Sequence, residues 1–104
     1  MFRTLFSLLS RRKPNQPGSM RACTVLMYTR QGCHLCEEAW RELERQQARY
    51  RYTLEMQDVD TDPALAAAHG EWVPVVLVNG KVRFRGGVNP VLLERLLCAE
   101  GQGR

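Results

Sequence analysis

No acidic side chain occurs in the first 20 residues, and the rest of this 104-residue chain has no net charge. The formal charge of +4 therefore resides in Arg3, Arg11, Arg12 and Lys13. A basic protein ordinarily suggests a phosphate-bearing partner. Here there is no cation excess after residue 20 to attract one, so no nucleic acid is expected as a partner. Long apolar runs are missing too: none approaches the ~20 residues that cross a bilayer. Cysteine is sparse. The chain has four, Cys23, Cys33, Cys36 and Cys98, whereas a small secreted scaffold held by disulfides is denser. There is no second C-x-x-C and no matching His pair, hence no four-ligand set for a structural zinc. The length suits one domain and not two.

The N-terminal segment is poor in the marks of a signal peptide. Its apolar stretch is short, and its strongest charges, Arg11-Arg12-Lys13, follow that stretch instead of preceding it. Pro14, Pro17 and Gly18 read as a linker. Residues 1–20 are accordingly expected to be a basic, disordered extension, since a terminus stays disordered unless something ties it down; a weak amphipathic membrane-surface segment or a transit-like peptide are the other readings. Residues 21–104 are expected to form the domain. A cytoplasmic location is expected, with no membrane contact from the tail.

What is present is a regular alternation of strand and helix signals. An apolar run over 23–28 suits a buried strand. After a loop, Thr29-Arg30-Gln31-Gly32, a helix is expected over 37–50. Leu35, Ala39, Trp40 and Leu43 form its apolar stripe, and Glu37, Glu38, Arg41, Glu42, Glu44 and Arg45 its solvated face. Residues 52–59 alternate as a second strand. Asp60-Thr61-Asp62-Pro63 reads as a helix start, with a short helix to His69 and Gly70 ending it. That order implies a βαβ unit with a parallel strand pair. A third strand over 73–78 meets the hairpin signal Asn79-Gly80. The fourth, 81–85, carries three cations suited to an exposed edge. Gly86-Gly87 turns the chain, and Asn89-Pro90 caps a last helix over 91–99. Cys23 and Cys98 have no motif spacing and are expected to be buried thiols, because free Cys behaves as a small hydrophobe.

Cys33-His34-Leu35-Cys36 carries the chemistry. Two thiols three positions apart, between a strand and a helix, read as a redox pair. The thiolate is the nucleophile of disulfide exchange. Cys33 falls at the helix N-terminus, where unpaired N–H groups and the helix dipole favour negative charge. Cys36 lies one turn further in and should be less exposed. The expected roles follow: Cys33 attacks a substrate disulfide, and Cys36 resolves the mixed disulfide. Arg30, three residues before Cys33, and His34 are the cations that can favour the thiolate. Glu37 and Glu38 oppose it. Pro74 is tolerated at a strand's first residue; on the ordinary frequency of cis X-Pro bonds, about 5–6%, Val73-Pro74 would be trans.

Tyr28-Thr29-Arg30-Gln31-Gly32-Cys33-His34-Leu35-Cys36, then Val73-Pro74, Asn79-Gly80 and Gly86-Gly87, resemble the glutaredoxin family in register and order. The likeness covers about residues 22–98 and is nearest to small bacterial glutaredoxin-like proteins with a Cys-His-Leu-Cys-Glu run. It implies an α/β thioredoxin fold, a four-stranded mixed sheet (βαβα then ββα) flanked by three helices. It also implies that Val73-Pro74 is cis. The family's glutathione contacts map onto Arg30, Val73 and Gly86-Gly87. Three positions depart: His34-Leu35 replaces the usual Pro-Tyr, Trp72 the usual Thr, and Pro90 stands where an Asp helps hold the glutathione amino group. Trp72 is expected to pack near the site, with a platform for substrate as the other reading.

The leading expectation is a monomeric thiol–disulfide oxidoreductase acting on protein or small-molecule disulfides. It uses catalytic Cys33 and Cys36, with Arg30, His34, Val73, Pro74, Gly86 and Gly87 around the substrate. It has no bound cofactor, and glutathione is a candidate co-substrate. One alternative is an iron–sulfur or zinc module built on Cys33 and Cys36 with His34 beside them. Another is a non-catalytic binding domain with vestigial thiols.

Overall fold

The computed structural model describes residues 23–102. The basic extension 1–20 and the expected domain start at residue 21 lie outside the described residues. β1 (Thr24–Thr29) places alternate side chains, Val25 and Met27, wholly out of solvent. It runs parallel to β2 (Thr53–Asp58) and antiparallel to β3 (Val75–Val78). β3 returns antiparallel as β4 (Lys81–Arg85), giving the order β2-β1-β3-β4. Asn79 and Gly80 both adopt positive φ, 52° and 84°, as a two-residue hairpin that follows the sheet twist requires. Asn79 also locks the hairpin to β1. Its N–H donates to the Thr24 carbonyl at 2.8 Å, and its Oδ1 accepts the Thr24 N–H at 2.9 Å. Lys81, Arg83 and Arg85 are exposed on the edge strand β4, where charge discourages strand addition.

Among the described residues, three helices flank the sheet. α1 (His34–Tyr50) and α3 (Pro90–Gln102) share one face, joined by Gln46 Nε2 to the Pro90 carbonyl at 3.1 Å and by Arg49 to Glu94 at 3.0 Å. Between them and the sheet lies a core containing Val25, Met27, Ala39, Leu43, Val76, Val78, Leu93 and Leu97. Each such fully buried aliphatic side chain contributes about 1.5–3 kcal/mol. α2 (Pro63–His69) lies on the other face, where the Tyr28 ring stacks on His69 with centroids 4.8 Å apart. This is the mixed four-stranded, three-helix arrangement of a thioredoxin fold. No helix among the described residues is long and apolar enough to cross a membrane.

Several local expectations need correction. α1 begins at His34 instead of residue 37, because Cys33 caps it. Its buried side chains are Cys36, Ala39, Leu43 and Gln46, while Leu35 is 51% exposed. At about 100° per residue, a face centred on 36, 39 and 43 turns position 35 outward. Cys98 is exposed for the same reason: α3 buries Leu93 and Leu97, and the next residue points away. Cys23 is a buried thiol outside any disulfide, pushed up to about 11 by burial and the nearby Glu100 carboxylate, against the Asn79 hydrogen bond. α3 spans Pro90–Gln102, longer than 91–99 at both ends; Asn89 Oδ1 accepts the N–H groups of Val91 and Leu92 at 2.9 and 3.0 Å. Trp72, expected to pack, is 56% exposed.

The reassigned face of α1 makes a direct contrast. Leu43→Ala is expected to lower unfolding free energy by about 3 kcal/mol in urea titrations, through lost transfer energy and the cavity left behind. Leu35→Ala at its exposed position is expected to change it by less than about 0.5 kcal/mol.

Candidate active site

The turn from β1 into α1 is built by the loop 30–33. The Cys33 N–H donates to the Arg30 carbonyl at 3.3 Å, and Gly32 supplies a positive φ of 78°. Cys33 itself is extended (φ −93°, ψ 103°) and is the N-cap of α1. Its carbonyl accepts the N–H groups of Cys36 and Glu37, both at 3.2 Å. Its Sγ accepts the Cys36 N–H at 3.1 Å. Sulfur thus occupies the place that a Ser or Asp oxygen holds at most helix starts, satisfying a donor that would otherwise be orphaned. The two sulfurs are joined as a disulfide across a Cα separation of 5.2 Å. Cys33 is half-buried and Cys36 is 3% exposed, the asymmetry expected of an outer and an inner thiol.

A cleft of about 600 Å³ opens at Cys33 on the β2 side of α1. Cys33, Cys36, Glu37, Trp40 and Arg41 line one wall, and Met56 and Asp58 of β2 face them. Thr29, Arg30, Gln31 and Gly32 complete it. Trp40, Arg41 and Met56 were not among the expected site residues. For Trp40 and Arg41 a signal was present in helical spacing, since positions 33, 37, 40 and 41 share the flank of α1 that descends from the outer thiol; Met56, on β2, has no such local signal. A smaller depression lies on the other flank, lined by Leu35, Glu38, Ala39, Glu42, Gly87, Val88 and Pro90.

The expected substrate residues divide between these surroundings. Val73-Pro74 is a cis bond, as the family resemblance implied and the general frequency did not. Pro74 is fully buried, and Val73 packs, like Cys33, against the core that contains Cys36. Gly86 binds this segment to the Gly-Gly turn, donating its N–H to the carbonyls of Trp72 and Pro74, both at 2.9 Å. Gly87 lines the smaller depression. His34 has a side chain 89% exposed, with Nδ1 3.9 Å from Glu37 Oε1. Among the described residues, no group of three or more His, Cys, Asp or Glu side chains converges on a point that would hold a metal ion.

Arg30 stands in the cleft wall, but its guanidinium is engaged. Nε and Nη2 donate to the two oxygens of Asp60 at 3.0 and 2.9 Å, a bidentate fork, and Nη1 donates to the Gly70 carbonyl at 3.1 Å. The Asp60 carboxyl is held below its ordinary range by the Arg30 hydrogen bonds. Gly70 does not end α2 by a left-handed turn. It is helical (φ −55°) and leads into a 3-10 turn, Gly70–Trp72. A Cβ there would come within 2.8 Å of Arg30 Nη2. Its missing side chain is the space the guanidinium fills.

The profile of the Glutaredoxin-like domain family (DUF836) matches residues 24–98. No curated protein matches the chain. Among solved structures, a structural-genomics protein from X. campestris is 32% identical, with a TM-score of 0.60, over 72% of this chain and 96% of that one. A protein from Nitrosomonas europaea is 25% identical, with a TM-score of 0.63, over 71% and 89%. A thioredoxin variant from Halobacterium salinarum is 21% identical, with a TM-score of 0.58, over 76% and 74%, a likeness of fold alone.

The fit of Arg30 against Gly70 has a thermodynamic signature. Gly70→Ala is expected to destabilise the protein measurably, as the guanidinium is displaced from a carbonyl and a carboxylate. In an Arg30→Met background the same change is expected to be neutral or stabilising, since Ala outranks Gly in helical backbone by up to ~1 kcal/mol. Urea unfolding of the four proteins of this cycle checks the coupling. With the cap, the paired thiols and the cis-Pro segment set out, the profile match over residues 24–98 places this chain in the glutaredoxin-like domain family.

Proposed function

We propose that the protein is a thiol–disulfide oxidoreductase in which Cys33 is the attacking and Cys36 the resolving thiol. The observation that carries this reading is the cap of α1: the Cys33 sulfur is half-buried at a helix N-terminus and accepts the Cys36 N–H. A negative sulfur there gains a strengthened hydrogen bond and the favourable end of the helix dipole. A thiolate at that point is therefore favoured over one at Cys36, which is buried among apolar neighbours.

The reaction is a two-step exchange. The Cys33 thiolate attacks one sulfur of a substrate disulfide. The substrate S–S bond breaks, a mixed disulfide forms, and the departing substrate thiolate takes up a proton. The Cys36 thiol loses its proton and attacks the Cys33 sulfur. The intramolecular disulfide closes, and the second substrate thiol leaves. The substrate has gained two electrons and the protein has lost them. A thiol or dithiol reductant must return them.

Protein and small-molecule disulfides are the proposed substrate class. Val73, packed like Cys33 against the core, and Gly86, which donates to the carbonyls of Trp72 and Pro74, support a substrate position along the cis segment and the Gly86-Gly87 turn. Glutathione as the reductant is supported by the family resemblance. The tightness of its binding is set against Arg30 being engaged by Asp60 and Pro90 standing where the family places an Asp. A monomeric state and a cytoplasmic location remain part of the proposal.

Reduction of a fluorescent peptide disulfide in a glutathione redox buffer tests it. Cys33→Ser is expected to abolish turnover. Cys36→Ser is expected to stop the dithiol cycle and accumulate a mixed disulfide on Cys33, visible as a mass adduct. Full activity in both variants would contradict the proposal.

A further inference from the structure

Arg30 is the basic residue nearest in sequence before Cys33, and it lines the same cleft. Alone, a guanidinium there would add a full positive charge to the thiol's surroundings. It is not alone. Both of its outward N–H edges are taken, by the Asp60 carboxylate and the Gly70 carbonyl. Arg30 lines the cleft with Cys33 and Cys36, whereas Asp60 is not part of the lining. The side chains of the pair are 39% and 50% exposed, so a variant at either position has water to replace what is lost.

We propose that Asp60 is the resident counter-ion of Arg30, a positioning residue that makes Cys33 react beside a neutral ion pair instead of a bare cation. The proposal deepens the oxidoreductase reading and rests on it, but its test reads the thiol and not turnover. Geometry supports it in three ways. The fork is bidentate, which fixes orientation as well as charge. The Asp60 N–H is held by Asp58 Oδ1 at 2.8 Å, so the carboxylate is carried on an ordered turn. The missing side chain at Gly70 leaves the space that the guanidinium occupies, since a Cβ there would lie 2.8 Å from Arg30 Nη2.

The other charged groups around the thiol set the background against which this pair acts. On α1 they are His34, Glu37, Glu38 and Arg41. On the end of β2 there is Asp58, and on the turn after α2 there is Glu71. Glu37, Arg41 and Asp58 line the cleft itself, and His34 lies close to Glu37. Asp58 and Glu71 also act on Arg30 through space, but Asp60 is the group that accepts from its Nε and Nη2 and the largest of the three influences.

A charge cycle tests the proposal. The rate of iodoacetamide alkylation of Cys33 in the reduced full-length chain is followed against pH, with the modified peptide resolved by mass spectrometry. Asp60→Asn is expected to lower the Cys33 midpoint by roughly a few tenths to one pH unit, because an unpaired cation is left in the wall. Arg30→Gln is expected to raise it by a similar amount, leaving Asp60 unpaired. The double variant is expected to return to the wild-type midpoint. Asp60→Ser gives the same sign as Asp60→Asn and stands in if the latter does not fold. Circular dichroism confirms the fold of each. A Cys33 midpoint unmoved by Asp60→Asn, or both single variants moving it the same way, would overturn the proposal, since a loop merely propped by Arg30 responds without regard to charge sign. Either result leaves the assignment of Cys33 as nucleophile to be judged by turnover alone.

Discussion

Cys33 ends a strand connection and caps a helix with its own sulfur. Most of the site depends on that one hydrogen bond from the Cys36 N–H. It starts α1 at His34, which in turn sets the helical phase: Cys36, Ala39 and Leu43 face inward, while Cys33, Glu37, Trp40 and Arg41 descend along the cleft. The same phase makes the pair unequal. One sulfur is held at the mouth of the helix by a backbone donor, and the other is sunk in the core. Shifting the helix start by one residue would turn both thiols and exchange the buried and open faces.

The sheet supplies the complementary half. β1 and β3 are antiparallel neighbours, so the C-terminal end of β1, leading to Cys33, lies beside the start of β3, which follows Pro74. Strand order, not sequence proximity, brings the cis segment and the turn to Cys33 to the same end of the sheet. Gly86 then binds that segment through two carbonyls. The surrounding charge is arranged with comparable economy. Arg30 is matched by Asp60, and His34 lies near Glu37.

Much of this was legible in the residues. Period-two runs, Asn79-Gly80 and the Asn89-Pro90 cap set out the element order, and C-x-x-C between a strand and a helix set out the chemistry. The cis state of Val73-Pro74 was legible only through family resemblance, because local energetics favour trans. What escaped was tertiary. Asp60 is thirty positions from Arg30, and no spacing rule pairs them. Gly70 does follow the end of α2, as expected, but the space it leaves for a guanidinium arriving from another loop is not a local signal. Leu35 looked like core because its hydrophobicity was counted before the helix had a fixed phase. Trp40 and Met56 looked like ordinary apolar positions, and only the pairing of α1 over β2 turns them into facing walls of a cleft.

The central claim is that the cap makes Cys33 the reactive thiol. Brief alkylation of the fully reduced protein at slightly acidic pH, followed by peptide mapping, measures it directly. Cys33 is expected to be modified first, at least tenfold ahead of Cys36, with the buried Cys23 slowest. Modification of Cys36 ahead of Cys33, or a Cys33 rate no greater than that of the exposed Cys98, would contradict the account.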